Sequence, residues 1–331
     1  MRRREFLASV FGISAAFSFP GLAHGQPGQK RPLIIWITTF PVPTGQEDLK
    51  LNAHFLEGMA GLGYVRDRDF TFEIRSGRGL PDLPGLAEEA VAAQPSVIIA
   101  PATLEAVALC KATSHVPIVC PALADAVHLG LIQSEARPGR NITGIEPYIS
   151  GLPAKQIELA REVVSGAKKI GLLTNDVDPK GPPQSRELSA AITHLGLTVV
   201  PANANQPSEI GTAFEKLAAE KVDVVIVLQT NLLLLRRFVI SDIALKQKLP
   251  TVYGYRENVV AGGIASYGVN LSWCYSRGAY FVDRILKGAK PGDLPIEFPT
   301  SFWLAANTRA AKSLGISLSP NLLARADEVI E

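Results

Sequence analysis

Polar side chains gather in this sequence at the points where predicted apolar strands end. Thr39 and Phe40 follow the run Leu33–Thr38, and Asn175 follows the run Lys169–Thr174. Because the carboxyl ends of parallel strands meet at one edge of a sheet, side chains at these points border the crevice in which ligands bind. Hydroxyl, amide and carboxylate groups of this kind can hydrogen-bond a small zwitterion. The candidate ligand-binding residues are Thr39, Phe40, Thr103, Asp125, Asn175, Gln229, Asn231, Tyr253, Arg256 and Tyr267.

The charged ends of such a ligand suggest roles for three of these side chains and for the neighbouring Asp176. Thr39 and Thr103 are expected to hold a carboxylate, because N–H groups at the helix start predicted near Thr103 favour an anion. Asp125 or Asp176 would pair with an ammonium group. The structural alternative is that Thr103 only caps its helix.

An apolar or aromatic part of the ligand is expected to be covered by the candidates Phe40 and Tyr253 and by the nearby Tyr255. Arg256 could bind a second carboxylate with two parallel hydrogen bonds, or it could form a local ion pair with Glu257. The tyrosines could equally pack the two lobes, and Asn231 could cap a helix.

Motifs for metal, nucleotide or nucleophilic chemistry are not found. The five histidines form no HxH, HExxH or Cys–His cluster, so a metal site is not predicted. Gly77 and Gly79 resemble the start of a dinucleotide-binding loop, but Asp82 occupies the position of its third glycine. The sequence has no GxxxxGK[ST] loop, and no GxSxG motif follows the predicted signal. We therefore predict neither a cofactor nor a catalytic residue.

The elements that position the candidates alternate between short apolar strands and longer amphipathic helices. This order predicts parallel sheets covered by helices on both faces, hence an α/β fold with two doubly wound lobes. The predicted strands are 33–38, 70–75, 96–100, 117–120, 141–145, 169–174, 197–201, 222–228, 251–255, 263–267 and 295–303. The predicted helices are 46–63, 81–93, 103–112, 129–136, 152–165, 184–195, 207–220, 231–247, 275–287 and 321–330.

The strand–helix pattern runs through one set of units and then restarts, which predicts two lobes of similar build. We expect lobe one to comprise residues 31–148 plus 270–290, and lobe two residues 149–269 plus 291–331. The chain would then cross between the lobes several times. Such a hinge permits closure around a ligand in the cleft.

The N-terminus has the layout of an export signal over residues 1–25. Arg3-Arg4-Glu5-Phe6-Leu7 fits the twin-arginine pattern, an apolar run extends to Phe19, and Ala23 and Gly25 suit a cleavage site near Gly25. An ordinary secretory signal fits equally well. Residues 1–25 hold three arginines and one glutamate, so they account for the whole formal net charge of +2. The exported chain is therefore neutral, and nucleic-acid binding is not expected.

Five stretches of the sequence, in order, resemble those of ABC-transporter substrate-binding proteins, the family that includes tryptophan- and tyrosine-type binders. They are RREFL (3–7), GLPDLPGLA (79–87), ARPGRNITG (136–144), RILKGAKP (284–291) and SPNLLARADEVI (319–330). The resemblance implies a type I periplasmic-binding fold, a ligand in the interlobe cleft and delivery to a permease in the inner membrane. The family more often has small residues at the positions of residues 34–41, and this sequence departs from that pattern. We therefore do not assign the ligand of any relative to this chain.

These observations are compatible with three functions. The favoured one is a monomeric periplasmic protein that captures a small molecule, such as an amino acid or a related carboxylate, for an ABC importer. The alternative is a sensor that presents its ligand to a membrane receptor with the same fold and cleft. An exported α/β enzyme has the least support, because no nucleophile or metal cluster is recognisable.

Overall fold

The computed structural model describes residues 31–42, 45, 49–149 and 151–331, and the predicted export signal lies outside them. These residues form two β-sheets with helices packed on their faces. Within the described part of the chain, no helix has both the length and the hydrophobicity needed to cross a membrane.

Short aliphatic runs form a five-stranded sheet in the first half of the chain. All neighbouring strands are parallel, as predicted. The central β-strands are buried on both faces, so their sequences are continuously apolar rather than alternating. The strands are β1 (Leu33–Thr38), β2 (Thr71–Ser76), β3 (Val97–Ile99), β4 (Ile118–Cys120) and β5 (Ile142–Gly144), in the spatial order β2-β1-β3-β4-β5.

The second half of the chain forms a seven-stranded sheet. Its strands are β6 (Lys169–Thr174), β7 (Thr198–Asn203), β8 (Val224–Val227), β9 (Thr251–Tyr253), β10 (Ala265–Val269), β11 (Phe302–Asn307) and β12 (Glu328–Ile330). Their spatial order is β12-β11-β10-β9-β8-β6-β7. Strands β6 to β10 are parallel, whereas β11 runs antiparallel to β10. The wholly parallel sheet that the sequence predicted is therefore completed by an edge pair of opposite direction.

Twelve helices accompany these strands in the described residues. Those of the first half are α1 (Leu51–Gly61), α2 (Leu83–Ala92) and α3 (Thr103–Ala112). The others are α4 (Leu152–Val163), α5 (Gly181–His194), α6 (Ile210–Ala219), α7 (Asn231–Leu235), α8 (Arg237–Lys246), α9 (Arg256–Val260), α10 (Leu271–Leu286), α11 (Thr308–Ser313) and α12 (Pro320–Arg325).

Helix α10 follows a strand of the seven-stranded sheet but packs against α1 of the five-stranded sheet. Tyr275 and Ala279 of α10 share a buried cluster with Phe55 of α1. The two helices approach closely at Gly58, where a Cβ atom would lie 2.2 Å from a backbone oxygen of α10. The chain thus returns from one sheet to the other, although the lobe boundaries given above remain predictions.

Three of the sequence-based elements are wrong. Residues 129–136 form turns instead of a helix, because Gly130 adopts a left-handed φ of 67° and Leu131 donates its N–H back to Ala126. Residues 295–301 are not a regular strand, and Pro299 has no N–H to donate to a ladder. The predicted closing helix ends at Arg325, and the residues beyond it form β12.

The cores of the two sheets differ in composition. The seven-stranded sheet is packed almost entirely by aliphatic residues, while one face of the five-stranded sheet holds an aromatic cluster around Trp36 and Phe72. Leu234 and Tyr255, which follow β8 and β9, belong to that aromatic cluster. The carboxyl ends of the two sheets therefore meet in this structure.

Candidate functional site

A cavity of about 400 Å³ lies where the carboxyl ends of the two sheets meet. We call it the large cavity. The five-stranded side supplies an apolar wall of Phe40, Leu80, Pro81 and Leu104. The seven-stranded side supplies a mixed wall rich in polar groups, from loops after β6, β7 and β8. Its residues are Asn175, Val177, Asp178, Asn205, Gln206, Pro207, Asn231 and Leu232.

Asp178 organises the mixed wall. Its carboxylate accepts the backbone N–H of Lys180 at 3.0 Å and that of Asn231 at 2.8 Å. These N–H groups lie at the starts of α5 and α7, where helices leave donors without intrahelical partners. A carboxylate there also complements the helix dipoles. Asp178 therefore joins the loops that follow β6 and β8.

Asparagine side chains fix the neighbouring loops of the same wall. Nδ2 of Asn175 donates to the carbonyl of Ala204 at 2.7 Å. Oδ1 of Asn205 accepts the N–H of Asp176 at 2.9 Å and that of Val177 at 3.3 Å. These hydrogen bonds hold the loops after β6 and β7 against each other, so the wall is preorganised.

A second cavity, of about 60 Å³, shares Asn231 with the large cavity. We call it the small cavity. Aromatic rings of Trp36 and Tyr275, with centroids 5.9 Å apart, form part of its wall. The Tyr275 hydroxyl donates to the carbonyl of Pro101 at 2.8 Å. Among the described residues that line this cavity, Glu105 is the one that carries a charge.

Glu105 is completely buried in the first turn of α3. Its Oε1 accepts both the N–H of Thr39, at 3.0 Å, and the hydroxyl of Thr39, at 2.5 Å. Its Oε2 is buried and has no hydrogen-bond partner. Burial raises the pKa of Glu105, although the two bonds from Thr39 oppose that shift. A buried carboxyl oxygen without a partner is costly, so this one needs an explanation.

Lys180, two residues after Asp178, is a further buried charged side chain, with 4% of its surface exposed, and it lines neither cavity. Burial lowers its pKa, but the electrostatic effects of Tyr255, Asp178, Cys120 and Glu105 outweigh burial and raise it overall. The lysine is therefore charged at neutral pH. Among the described residues, none accepts a hydrogen bond from its Nζ.

Three of the predicted ligand-binding residues line the large cavity, namely Phe40, Asn175 and Asn231. Thr39 lies next to Phe40, but its N–H and hydroxyl both donate to Glu105. Thr39 thus positions an acid instead of presenting free donors for a carboxylate. The ligand-binding roles of all four residues stay predictions.

Thr103 and Gln229 are buried at strand ends but make structural hydrogen bonds. The hydroxyl of Thr103 donates to the carbonyl of Ala122 at 3.4 Å. Nε2 of Gln229 donates to the carbonyl of Gly254 at 3.2 Å. Neither residue lines the large cavity, although both lie at the sheet edges where the sequence placed them.

Asp125, Tyr253 and Tyr267 also lie outside the residues that line the two cavities. The N–H of Asp125 donates to Glu146 at 3.1 Å. Tyr253 is 1% exposed within the aliphatic core of the seven-stranded sheet. Tyr267 stacks on Phe302 with ring centroids 5.7 Å apart. The structure does not bring these three side chains together.

Arg256 forms an ion pair with the C-terminal strand. Its Nη2 donates to Oε1 of Glu328 at 2.6 Å, and its Nε donates to the other carboxylate oxygen. Arg256 is therefore engaged by a carboxylate of β12 and not by Glu257, and its predicted binding of a ligand carboxylate stays a prediction. This pair couples α9 to the edge of the seven-stranded sheet.

Sequence reasoning missed Glu105, Asp178 and Lys180. The burial of Glu105 could have been predicted from helical spacing. Glu105 lies four residues before Leu109 and is therefore on the same, buried face of α3. Asp178 and Lys180 lie in an irregular loop between β6 and α5, where no periodicity reports burial.

The site offers an apolar wall, a wall of amides that includes the carboxylate of Asp178, and the buried carboxyl group of Glu105. This combination suits the binding of a small molecule that has both polar and apolar parts. The described residues contain no group of three or more His, Cys, Asp or Glu side chains that could hold a metal ion.

Comparison with known proteins identifies the family of the chain. A family model described as ABC transporter substrate binding protein matches residues 49–330. The chain belongs to this family. The match covers both sheets apart from β1 and the turn that follows it.

A curated relative and two solved structures support the assignment to substrate-binding proteins. The Tyrosine-binding protein of Clostridioides difficile (strain R20291) is 26% identical over 75% of this chain and 71% of that protein. The crystal structure of a conserved domain protein from Vibrio cholerae has a TM-score of 0.83 and 27% identity, over 91% of this chain and 100% of that one. The structure of the ABC domain in complex with L-Trp from Streptococcus pneumonia has a TM-score of 0.83 at 24% identity, with the same two coverages.

These findings confirm two predictions made from the sequence. The resemblance to ABC-transporter substrate-binding proteins is confirmed by the family match. The α/β fold with two sheets is confirmed by the structure and by its similarity to solved members of this fold.

Proposed function

We propose that this chain is the periplasmic substrate-binding component of an ABC importer. It captures an amino acid, or a closely related small carboxylate, between the two sheets and delivers it to a membrane permease without chemical change. Support comes from the family match and from the names of two similar proteins, which bind tyrosine and L-Trp. The export signal predicted at residues 1–25 supports a location outside the cytoplasm.

The large cavity is the observation that carries this proposal. It has a volume of about 400 Å³ and takes its walls from both sheets. A ligand bound there contacts the two sides at once, so binding favours the closed arrangement of a hinged protein. The apolar wall suits a hydrophobic side chain, and the mixed wall suits the polar end of an amino acid.

A thermal-unfolding screen of the twenty amino acids, small carboxylates and aromatic acids tests the proposal. A ligand at 100 times its Kd stabilises the folded chain by about 2.7 kcal/mol, which gives a measurable rise in Tm. We expect at least one amino acid to raise the Tm and to be recovered unchanged by mass spectrometry. The absence of any shift contradicts the proposal, and conversion of the ligand points to an enzyme.

A further inference from the structure

Two acids line the cavities between the sheets, and they differ in how their oxygens are used. The carboxylate of Asp178, in the large cavity, accepts a backbone N–H at each oxygen, from Lys180 and from Asn231. Glu105, in the small cavity, accepts both of its hydrogen bonds at Oε1, from the N–H and the hydroxyl of Thr39. Its Oε2 is buried and accepts none within the described part of the chain. Oε2 of Glu105 is therefore available to a ligand.

The walls of the small cavity suit a positive charge. The rings of Trp36 and Tyr275 form part of them, and such rings attract a cation to their faces. None of the described residues that line this cavity is Lys, Arg or His, so the acid has no basic neighbour in the wall. A ligand carboxylate would meet an acid and two aromatic rings there, whereas a ligand ammonium is suited to all three.

The burial of Glu105 makes a cation its most favourable partner. A buried acceptor without a hydrogen bond is destabilising, and a buried negative charge without a counter-ion is more so. A neutral donor supplies only the hydrogen bond, while an ammonium group supplies both the bond and the opposite charge. The two bonds from Thr39 favour the ionised carboxyl that such a partner requires, since they act against the burial that raises its pKa.

We propose that Glu105 is an ammonium anchor: the ligand places a primary ammonium group in the small cavity, where it donates to Oε2 of Glu105 beside the rings of Trp36 and Tyr275. This inference rests on the proposed function and narrows its ligand class to molecules with a cationic nitrogen. Carboxylates that lack one are selected against. Asp125 and Asp176, the acids that the sequence suggested for this role, line neither cavity.

The large cavity receives the rest of the ligand. Asn231 lines both cavities, so the two spaces meet at this residue. Leu104, which precedes Glu105 in α3, also lines the large cavity. The small cavity, of about 60 Å³, has room for an ammonium group and not for an aromatic ring. A ligand that fills both spaces therefore has its ammonium at one end and its bulk against Phe40 at the other.

Pairs of probes that differ only in the ammonium group test the anchor in the wild-type chain. The pairs are L-tyrosine with 3-(4-hydroxyphenyl)propionate, L-tryptophan with indole-3-propionate and L-leucine with 4-methylpentanoate. If another amino acid gives the largest thermal shift, it is paired with its own des-amino acid. Calorimetric titration should show that the amino acid binds about 10- to 100-fold more tightly than its partner, which is the contribution of one charge-assisted hydrogen bond.

The same titrations separate the anchor from the proposed function. If an acid without the ammonium group binds as tightly as its amino acid, the anchor is overturned and capture of a small carboxylate stands. If no amino acid and no acid binds, the proposed function itself is contradicted, and the anchor with it.

Glu105→Gln assigns the preference to this residue. Glutamine keeps an oxygen for the bonds from Thr39 and nearly the same volume, but it has no negative charge and places an amide NH₂ at the other position. The preference for the amino acid over its acid should fall by about 10-fold or more. Glu215→Gln removes an exposed charge on α6 and should keep the wild-type preference. If Glu105→Gln folds and keeps the full preference, Glu105 has only a structural role and the anchor is wrong.

Folding of Glu105→Gln is checked by thermal unfolding without ligand, and its Tm should be close to that of the wild type. A crystal structure of the wild-type chain with the tightest-binding amino acid decides the question even if the variant does not fold. An ammonium nitrogen within about 3.2 Å of Oε2 of Glu105 supports the anchor. An ammonium nitrogen bonded to any other acceptor instead overturns it.

Discussion

The edges of the two sheets meet at one site but are built differently. The five-stranded edge contributes apolar side chains and the single buried acid Glu105, held by Thr39. The seven-stranded edge contributes loops tied together by Asp178 and Asn175, with Lys180 among them. One edge thus provides a hydrophobic surface, and the other provides a rigid network of polar groups. The difference suggests that the first edge determines which side chain fits and the second holds the polar end of the ligand.

Blocking the space between the two sheet edges should have the largest effect on ligand affinity. Val177 lines the large cavity from the seven-stranded side and is 46% exposed. Val177→Trp places an indole between the edges and should weaken binding of the best amino acid by more than about 100-fold, or ~2.7 kcal/mol. The free energy of unfolding should change little, because Val177 is a surface residue. Calorimetric titration and denaturant unfolding measure the two quantities.

Val260→Trp is the matched control for this prediction. Val260 is 47% exposed, but it does not line either cavity. Ligand affinity in this variant should equal that of the wild type. Equal losses in both variants would show that the large cavity is not the binding site.

The hydrogen bonds at the two edges should differ in their contribution to stability. Asn175→Ala removes a buried bond of 2.7 Å and leaves the carbonyl of Ala204 without its donor, so it should cost about 1–3 kcal/mol. Thr103→Val removes only a long bond of 3.4 Å and should cost less than about 1 kcal/mol. Denaturant unfolding of both variants measures the difference. If Thr103→Val lost more unfolding free energy than Asn175→Ala, the predicted difference between the two edges would be wrong.

A carboxyl in the segment that leaves the five-stranded sheet should make stability depend on pH. Burial raises the pKa of Glu146 to about 7 from an ordinary value of 4.5, and the nearby carboxylates Glu135 and Asp125 add to the shift. The folded chain therefore binds this proton more tightly than the unfolded chain does. The resulting stabilisation is fully present below pH 4.5 and is lost as the pH rises to about 7.

Glu146→Gln should remove this dependence. Between pH 5 and pH 8, the wild type should lose about 2–3 kcal/mol more unfolding free energy than the variant. Denaturant titrations at the two pH values provide the measurement. The exposed Glu215→Gln serves as the control and should follow the wild type. Identical pH profiles for the wild type and Glu146→Gln would contradict the raised pKa of the Glu146 carboxyl.

The sequence predicted the sheets well because their strands are buried runs with a clear period. Strands Leu33–Thr38 and Lys169–Thr174 and helix Thr103–Ala112 begin and end at the predicted residues. Prediction failed where local pattern was overridden by tertiary contacts. The residues after Arg325 add a strand to β11, and that pairing depends on a partner distant in sequence.

The sequence indicated where the candidate site lies better than it indicated the partners of the side chains there. Three residues chosen from strand ends, Phe40, Asn175 and Asn231, line the large cavity, and their binding of a ligand stays a prediction. The partners of Thr39 and Arg256 depend on Glu105 and Glu328, which are 66 and 72 residues away along the chain. Spacing within one segment cannot report such contacts. Tyr253 shows the same limit, since its position at a strand end does not reveal that it faces the core.

A crystal structure of the chain grown with the amino acid that gives the largest thermal shift tests the central claim most directly. We predict ligand density between the two sheet edges, in the large cavity, with the side chain of the ligand against Phe40. Density at any other place on the molecule would contradict capture between the sheets.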